Sequence, residues 1–174
     1  KQDFDASGTN YEADAGAAYV FKNTGGTWAQ VQKIVATDRT AGEYFGYSVS
    51  IPGDYSIVGD MWDNTDAGGT NTLQNSGSAF ILKNNSGAWA LNQKIVASDR
   101  GEHDGFGNAV AISANYAVVG TQQEDEDANG ANYLFNAGSA YFYKNTSVPE
   151  PMQLVFTTTE AGQSIELPLY GTVN

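Results

Sequence analysis

The chain has 174 residues, 41% of them hydrophobic, enough for one ordinary globular domain with a sizeable core and too apolar for a disordered tail. A formal net charge of −12, with eight Lys and Arg against 20 Asp and Glu, leaves no basic footprint for nucleic-acid phosphates or an anionic membrane face and favours cations or neutral and basic partners. With no Cys there is no disulfide framework or thiolate metal site, and no apolar run approaches the ~18 residues of a membrane-spanning helix.

Twenty Gly, ten Tyr and eight Phe against four Pro are the balance of many short strands joined by tight turns, so the expected class is all-β. The chain starts at Lys1 without a signal-peptide pattern, and the expectation is a mature or excised fragment.

Taken in order, the elements repeat. GAAYVFKN from Gly16 returns as GSAFILKN from Gly77 and GSAYFYKN from Gly138; Trp28 returns as Trp89, KIVATDR from Lys33 as KIVASDR from Lys94, Phe45-Gly46 as Phe106-Gly107, and YSIVG ending at Gly59 as YAVVG ending at Gly120. One offset of 61 residues relates them all, the mark of a repeat architecture. Within one period, β-branched and aromatic runs bounded by turn residues predict strands at Tyr47–Ile51, Tyr55–Gly59, Ser78–Lys83 and Trp89–Val96. Pro52-Gly53-Asp54, matched by Ser113-Ala114-Asn115, and Asn84-Asn85-Ser86-Gly87 are hairpin-length turns, so each period reads as a four-stranded antiparallel meander, the blade of a β-propeller. The first strand alternates Val or Ile with Ser or Ala, as an innermost strand needs where blades converge.

FG before a small-residue strand, then a strand ending in Val-Gly, then GSAYxF and W-x-x-x-Q-K-I, resembles the FG-GAP repeats of integrin α-subunit propellers, and more closely the bacterial secreted proteins that carry them. The resemblance covers about Lys1 to Thr146 and implies an extracellular or cell-surface location and a role in adhesion or binding. The GAP element is reduced to its glycine, in Gly59-Asp60-Met61 and Gly120-Thr121-Gln122. Two FG motifs amount to two to three blades at residues 1–146, an incomplete propeller, since closed rings typically take four to eight. The missing blades are expected from the same, longer polypeptide, with assembly of several copies as the alternative. Residues 147–174, opening with Ser147-Val148-Pro149-Glu150-Pro151, read as a linker and strands that complete the last blade or start a further β-domain.

The long connections, Asp60–Ser76, Thr121–Ala137, Thr37–Tyr44 and Ser98–Gly105, are expected on one rim, where binding usually resides. Aligned by the period, the first kind reads DFDASGTN from Asp3, NTDAGGTN from Asn64 and DEDANGAN from Asp125. Oxygens at alternate positions before a Gly open a calcium loop, and the candidate ligands are Asp3, Asp5, Ser7 and Asp14; Asn64 and Asp66; and Asp125, Asp127, Asn129 and Asn136. The alternative is an acidic turn in which Asp and Asn cap backbone amides. Integrin calcium loops lie between the first and second strands, where this chain has only short turns, so the resemblance itself carries no calcium to these positions.

Asp38-Arg39 and Asp99-Arg100 are read as hydrogen bonds or salt bridges between adjacent blades, with an Arg anchor for a partner's carboxylate as the alternative. Trp28 and Trp89 are expected at blade edges as packing residues, and the other aromatics in the core. His103 is the only histidine and its repeat counterpart is Gly42, which, with acids recurring at equivalent positions, favours a binding module over an enzyme. The expectation is thus a rim presented to a protein or glycan partner, with calcium stiffening its loops; a structural spacer in a large surface protein is the alternative, and a polysaccharide-active enzyme the remote one.

Overall fold

Each hairpin turn follows from its residues. The computed structural model describes residues 3–127 and 132–145. In it β1 (Ala18–Thr24) and β2 (Thr27–Ile34) are joined by Gly25-Gly26, both at positive φ, as a two-residue turn matched to strand twist requires. Asn23 Oδ1 accepts the Gly26 N–H at 2.9 Å, and one period later Asn84 Oδ1 accepts that of Gly87 at 2.7 Å. The Ser86-Gly87 turn, again at positive φ, joins β5 (Ser78–Asn85) to β6 (Ala88–Ile95). With β3 (Ser48–Ser50) and β4 (Tyr55–Asp60), these strands form the sheet β3-β4-β5-β6, every neighbour antiparallel. A third sheet, β7-β8-β9, holds β7 (Phe106–Ile112), β8 (Tyr116–Thr121) and β9 (Ser139–Lys144).

The described chain is therefore all-β: a middle blade of four strands, preceded by strands three and four of one blade and followed by strands one to three of another. The expected strands are present with shifted ends; the inner strand is Ser48–Ser50 instead of Tyr47–Ile51, and the fourth is Ala88–Ile95 instead of Trp89–Val96. The strands expected within 147–174 lie outside the described residues.

Two cores sit between blades. Between the first and second lie Ile34, Phe45, Val58, Phe80, Leu82 and Trp89; between the second and third, Ile57, Ala79, Ile95, Phe106, Ala117 and Val119. Strand alternation does this: Ile57 and Val58 are adjacent on β4, so they point to opposite sides and into different cores.

The same geometry accounts for the repeated FG. Phe45 and Phe106 are buried in the two cores, and the glycine after each sits at φ 93 or 94°. A Cβ on Gly107 would lie 2.3 Å from the Ser78 carbonyl oxygen, and one on Gly46 2.6 Å from that of Ala17. Gly77, at φ 82°, runs beside Phe106 in a parallel bridge, where a Cβ would meet the Phe106 carbonyl oxygen at 2.1 Å. The backbone entering each blade thus presses on the third strand of the blade before it, at a distance only glycine permits.

Two packing expectations are corrected. Trp89 is 9% exposed against the first blade, whereas Trp28, at the same position one blade earlier, is 67% exposed. Several aromatics assigned to the core, Tyr19, Phe21, Tyr133, Phe135 and Phe142 among them, are exposed. Among the described residues no blade stands beside Tyr19, Phe21 or Phe142, and Tyr133 and Phe135 lie on the returning arm of a rim hairpin.

Candidate functional site on the loop rim

The connection between strands two and three is a small hairpin in each repeat, pinned by the bridges Phe4–Tyr11, Thr65–Thr72 and Glu126–Tyr133. Its tip is capped from within. The Asp66 carboxylate accepts the N–H groups of Gly68 and Thr70 at 2.9 and 3.0 Å and the Asn71 amide. Asp5 accepts the Thr9 N–H at 3.0 Å, the Ser7 hydroxyl at 2.7 Å and the Asn10 amide at 2.6 Å. Asp127 likewise accepts the Asn132 amide. These donors hold Asp5 well below the usual carboxylate range, the Ser7 hydroxyl first and then the Thr9 amide; Asp66 is drawn down to about 2, chiefly by the Thr70 amide.

The first and twelfth positions of the loop also meet. Asp3 Oδ1 accepts the Asp14 N–H at 2.8 Å, Asn64 Oδ1 that of Asn75 at 2.7 Å, and Asp125 Oδ1 that of Asn136 at 2.5 Å. Asp14, Asn75 and Asn136 stand at φ 56, 53 and 52°, a left-handed conformation that Asn and Asp tolerate best. Ser7 is a donor to Asp5 and shares a 2.7 Å hydrogen bond with Thr9; Asn129 lies outside the described residues.

The candidate calcium ligands are thus brought together in pairs, position one with twelve and position three with its own turn. No cluster of three or more Asp, Glu or His side chains within metal-holding reach occurs among the described residues. As it stands, each hairpin is a self-capped acidic turn.

The loops are zipped to each other. Gly42, Tyr44 and Phe45 donate their N–H groups to the carbonyls of Ala13, Asp14 and Ala15; one period on, His103, Gly105 and Phe106 donate to Gln74, Asn75 and Ser76. Arg39 donates to the Asp3 and Asn10 carbonyls at 3.0 and 3.2 Å, and Arg100 to those of Asn64 and Asn71 and to Ser76 Oγ at 2.8 Å. Each Arg follows the fourth strand and grips the hairpin of its own blade, whereas the Asp before it makes the expected bond to the next blade, Asp38 to Lys94 and Asp99 to the Tyr141 hydroxyl; only the Arg half of that expectation is corrected to bonding within one blade. The Nη1 and Nη2 nitrogens of each guanidinium hold the rim hairpin, while the buried Nε has no hydrogen-bond partner.

Beneath the rim lies buried charge. Lys94 Nζ is 2.6 Å from Asp38, 2.5 Å from Asp63 and 2.6 Å from Thr65 Oγ1, and Asp63 also accepts from Thr65 and Ser78. Burial works against the ammonium, but the two carboxylates outweigh it and raise its pKa. Nearby Asp60 is fully buried with neither oxygen hydrogen-bonded; burial, with Asp63 and Glu43 close by, holds its carboxyl well above the usual range. Glu43 is also raised by burial, although Thr40 donates to it twice at 2.6 Å.

In the third blade Asp99 and Glu124 replace Asp38 and Asp63, and the Tyr141 hydroxyl, where the second blade has Phe80, lies 2.7 and 2.9 Å from them. Asp104 below them is pushed up to about 6, mainly by burial.

The outer surface of the rim combines carboxylates with exposed aromatics. Phe4 and Tyr11 stack edge to face at 5.4 Å, and Tyr44 and Trp62 at 4.8 Å. Tyr133, Leu134 and Phe135 are 68, 62 and 76% exposed beside Asp125 and Glu126. The corresponding stretch of the second repeat is Thr72-Leu73-Gln74. Sequence reasoning passed over this apolar triplet; the signal was an aromatic run in a loop that is otherwise polar.

The profile of the FG-GAP repeat matches residues 28–82 and again 89–143, well over half of the chain. No curated protein matches the chain.

Proposed function

Because the chain belongs to the FG-GAP repeat family, we propose that it serves as an extracellular binding or adhesion module, its rim presented to a protein or glycan partner, and that it is not an enzyme. The observation that carries this reading is the exposed Tyr133-Leu134-Phe135 triplet on hairpins locked by backbone hydrogen bonds and flanked by carboxylates. Aromatic side chains on a rigid support give contact area at low entropic cost, and the surrounding acids select against anionic partners. The repeated rim acids are engaged in capping their own turns, which suits a scaffold better than a catalytic pair. A structural spacer is the second reading, favoured by how completely the hairpins of the first two repeats satisfy themselves.

The test is binding of the immobilised chain to a glycan array and to a panel of extracellular-matrix proteins, beside Phe135→Ser and Tyr133→Ser. Saturable binding to one class that falls at least tenfold in Phe135→Ser supports the module. Binding to none, or equal binding by the variants, assigns the chain to the spacer reading.

A further inference from the structure

Two rim positions of the second blade carry aromatic rings that the third blade lacks, although the backbone is the same in both. Tyr44 stands at φ 65° and its equivalent Gly105 at 69°; Trp62 donates its N–H to the Glu43 carbonyl at 3.2 Å, as Gln123 does to that of Asp104. Either pair of side chains completes this turn, so folding does not call for the rings. Tyrosine is even disfavoured at 44, since a bulky residue at positive φ is strained where glycine is not. Neither ring belongs to the two cores. Instead they stack edge to face at 4.8 Å on the rim, with Trp62 36% exposed.

On the side of the third blade the surroundings hydrogen-bond but carry no charge. A Cβ on Gly105 would meet nothing nearer than the Gln123 Oε1 and the Met61 carbonyl oxygen, both at 3.8 Å, which leaves room beside Met61-Trp62. The Asn108 Nδ2 reaches the Met61 Sδ at 3.9 Å. The acids of this stretch, Glu43, Asp63 and Asp104, are buried at 2, 1 and 4% exposure and present no charge to a ligand. The two Arg of the chain are engaged with the rim hairpins, so no guanidinium waits for an anion.

We propose that Tyr44 and Trp62 form the platform of a glycan subsite, on which a neutral hexose lays its C–H face while the amides of Gln123 and Asn108 bind its hydroxyls. The ligand class follows from the donor set. Aromatic faces cover the apolar side of a pyranose, and an amide both donates to and accepts from a hydroxyl. A sulfated or sialylated sugar is disfavoured by a chain of net charge −12 with no free Arg at the site. Every element around the subsite is among the described residues. This rests on the reading of the rim as a binding surface and commits that surface to neutral glycans.

The test is binding of the 174-residue chain to an array of neutral hexose and N-acetylhexosamine oligosaccharides, beside sulfated and sialylated ones and the protein panel above. Trp62→Gln and Tyr44→Gly each install the residue of the third blade, so the turn is kept and the melting temperature is expected to hold. The neutral class is expected to bind, with affinity at least tenfold lower in Trp62→Gln and about threefold lower in Tyr44→Gly. Trp62→Phe, which keeps a ring, retains binding within about threefold. These results are expected whether or not Phe135→Ser also weakens binding. Neutral-glycan binding that falls in Phe135→Ser but not in Trp62→Gln would overturn the subsite and leave the binding module standing. Binding confined to anionic glycans or to proteins would do the same. Binding to nothing on the array or the panel would overturn both.

Discussion

Replacing Lys94 by Met keeps the apolar stem and deletes the ammonium between Asp38 and Asp63. Lys94 is 9% exposed and Asp63 1%, so water cannot take the place of the lost charge. Removing one partner of a buried pair costs about 3–5 kcal/mol, because the other charge is left uncompensated. Here the lower end applies. Asp63 keeps donors from Thr65 and Ser78, and the Asp38 side chain is 26% exposed. A loss of about 3 kcal/mol corresponds to a fall in Tm of about 6–12 °C for a chain of this size. Thermal and urea unfolding at pH 7 measure it, with Asp63→Asn and the double variant completing the cycle. The double variant recovers part of the loss, since no unpaired carboxylate remains at that position. A loss below about 1 kcal/mol at pH 7, the size of an exposed ion pair, would refute the claim that this charge network is desolvated.

Gly107→Ala places a methyl against the Ser78 carbonyl at positive φ and is expected to cost at least about 2 kcal/mol in urea unfolding, while Gly53→Ala, with open space around it, costs less than about 1. Asp104 titrates higher in the folded chain than in the unfolded one, so its contribution to stability is fully present below pH 3.8 and is lost as pH rises through about 6; Asp104→Asn is expected to flatten the fall in Tm across that window. Millimolar calcium is expected to leave the melting temperature unchanged, because the oxygens of the rim hairpins are engaged by their own amides. A rise that disappears in Asp125→Ala would show instead that these loops rearrange around the ion.

How much could be read in advance is clearest from particular residues. Lys33 and Lys94, the FG pairs and the VG pairs recur at one offset, and that recurrence alone specified the meander and its strands, because alternation and turn chemistry are local properties of the chain. The rim hairpins were legible as acidic turns or calcium loops without a decision between them. Both need the same residues at the same spacing, so the letters alone name the turn and not its ligand. Trp28 and Trp89 are indistinguishable as letters, yet one is buried and the other exposed, since burial depends on whether another blade stands alongside. Arg39 and Arg100 were visible as a repeat but not as clamps on their own hairpins, a contact spanning 29 to 36 residues.

By itself, then, the sequence determined the repeat and the blade, while the need for glycine where two backbones approach came from the structure. The tertiary structure decided which side chains meet across blades: Lys94 with Asp38 and Asp63, and Tyr141 with Asp99 and Glu124. Local pattern dictates strand and turn because each depends on a few adjacent torsions. Charge pairing and burial depend on where distant segments come to rest, and the repeat, by bringing nearly identical segments to different surroundings, separates the two.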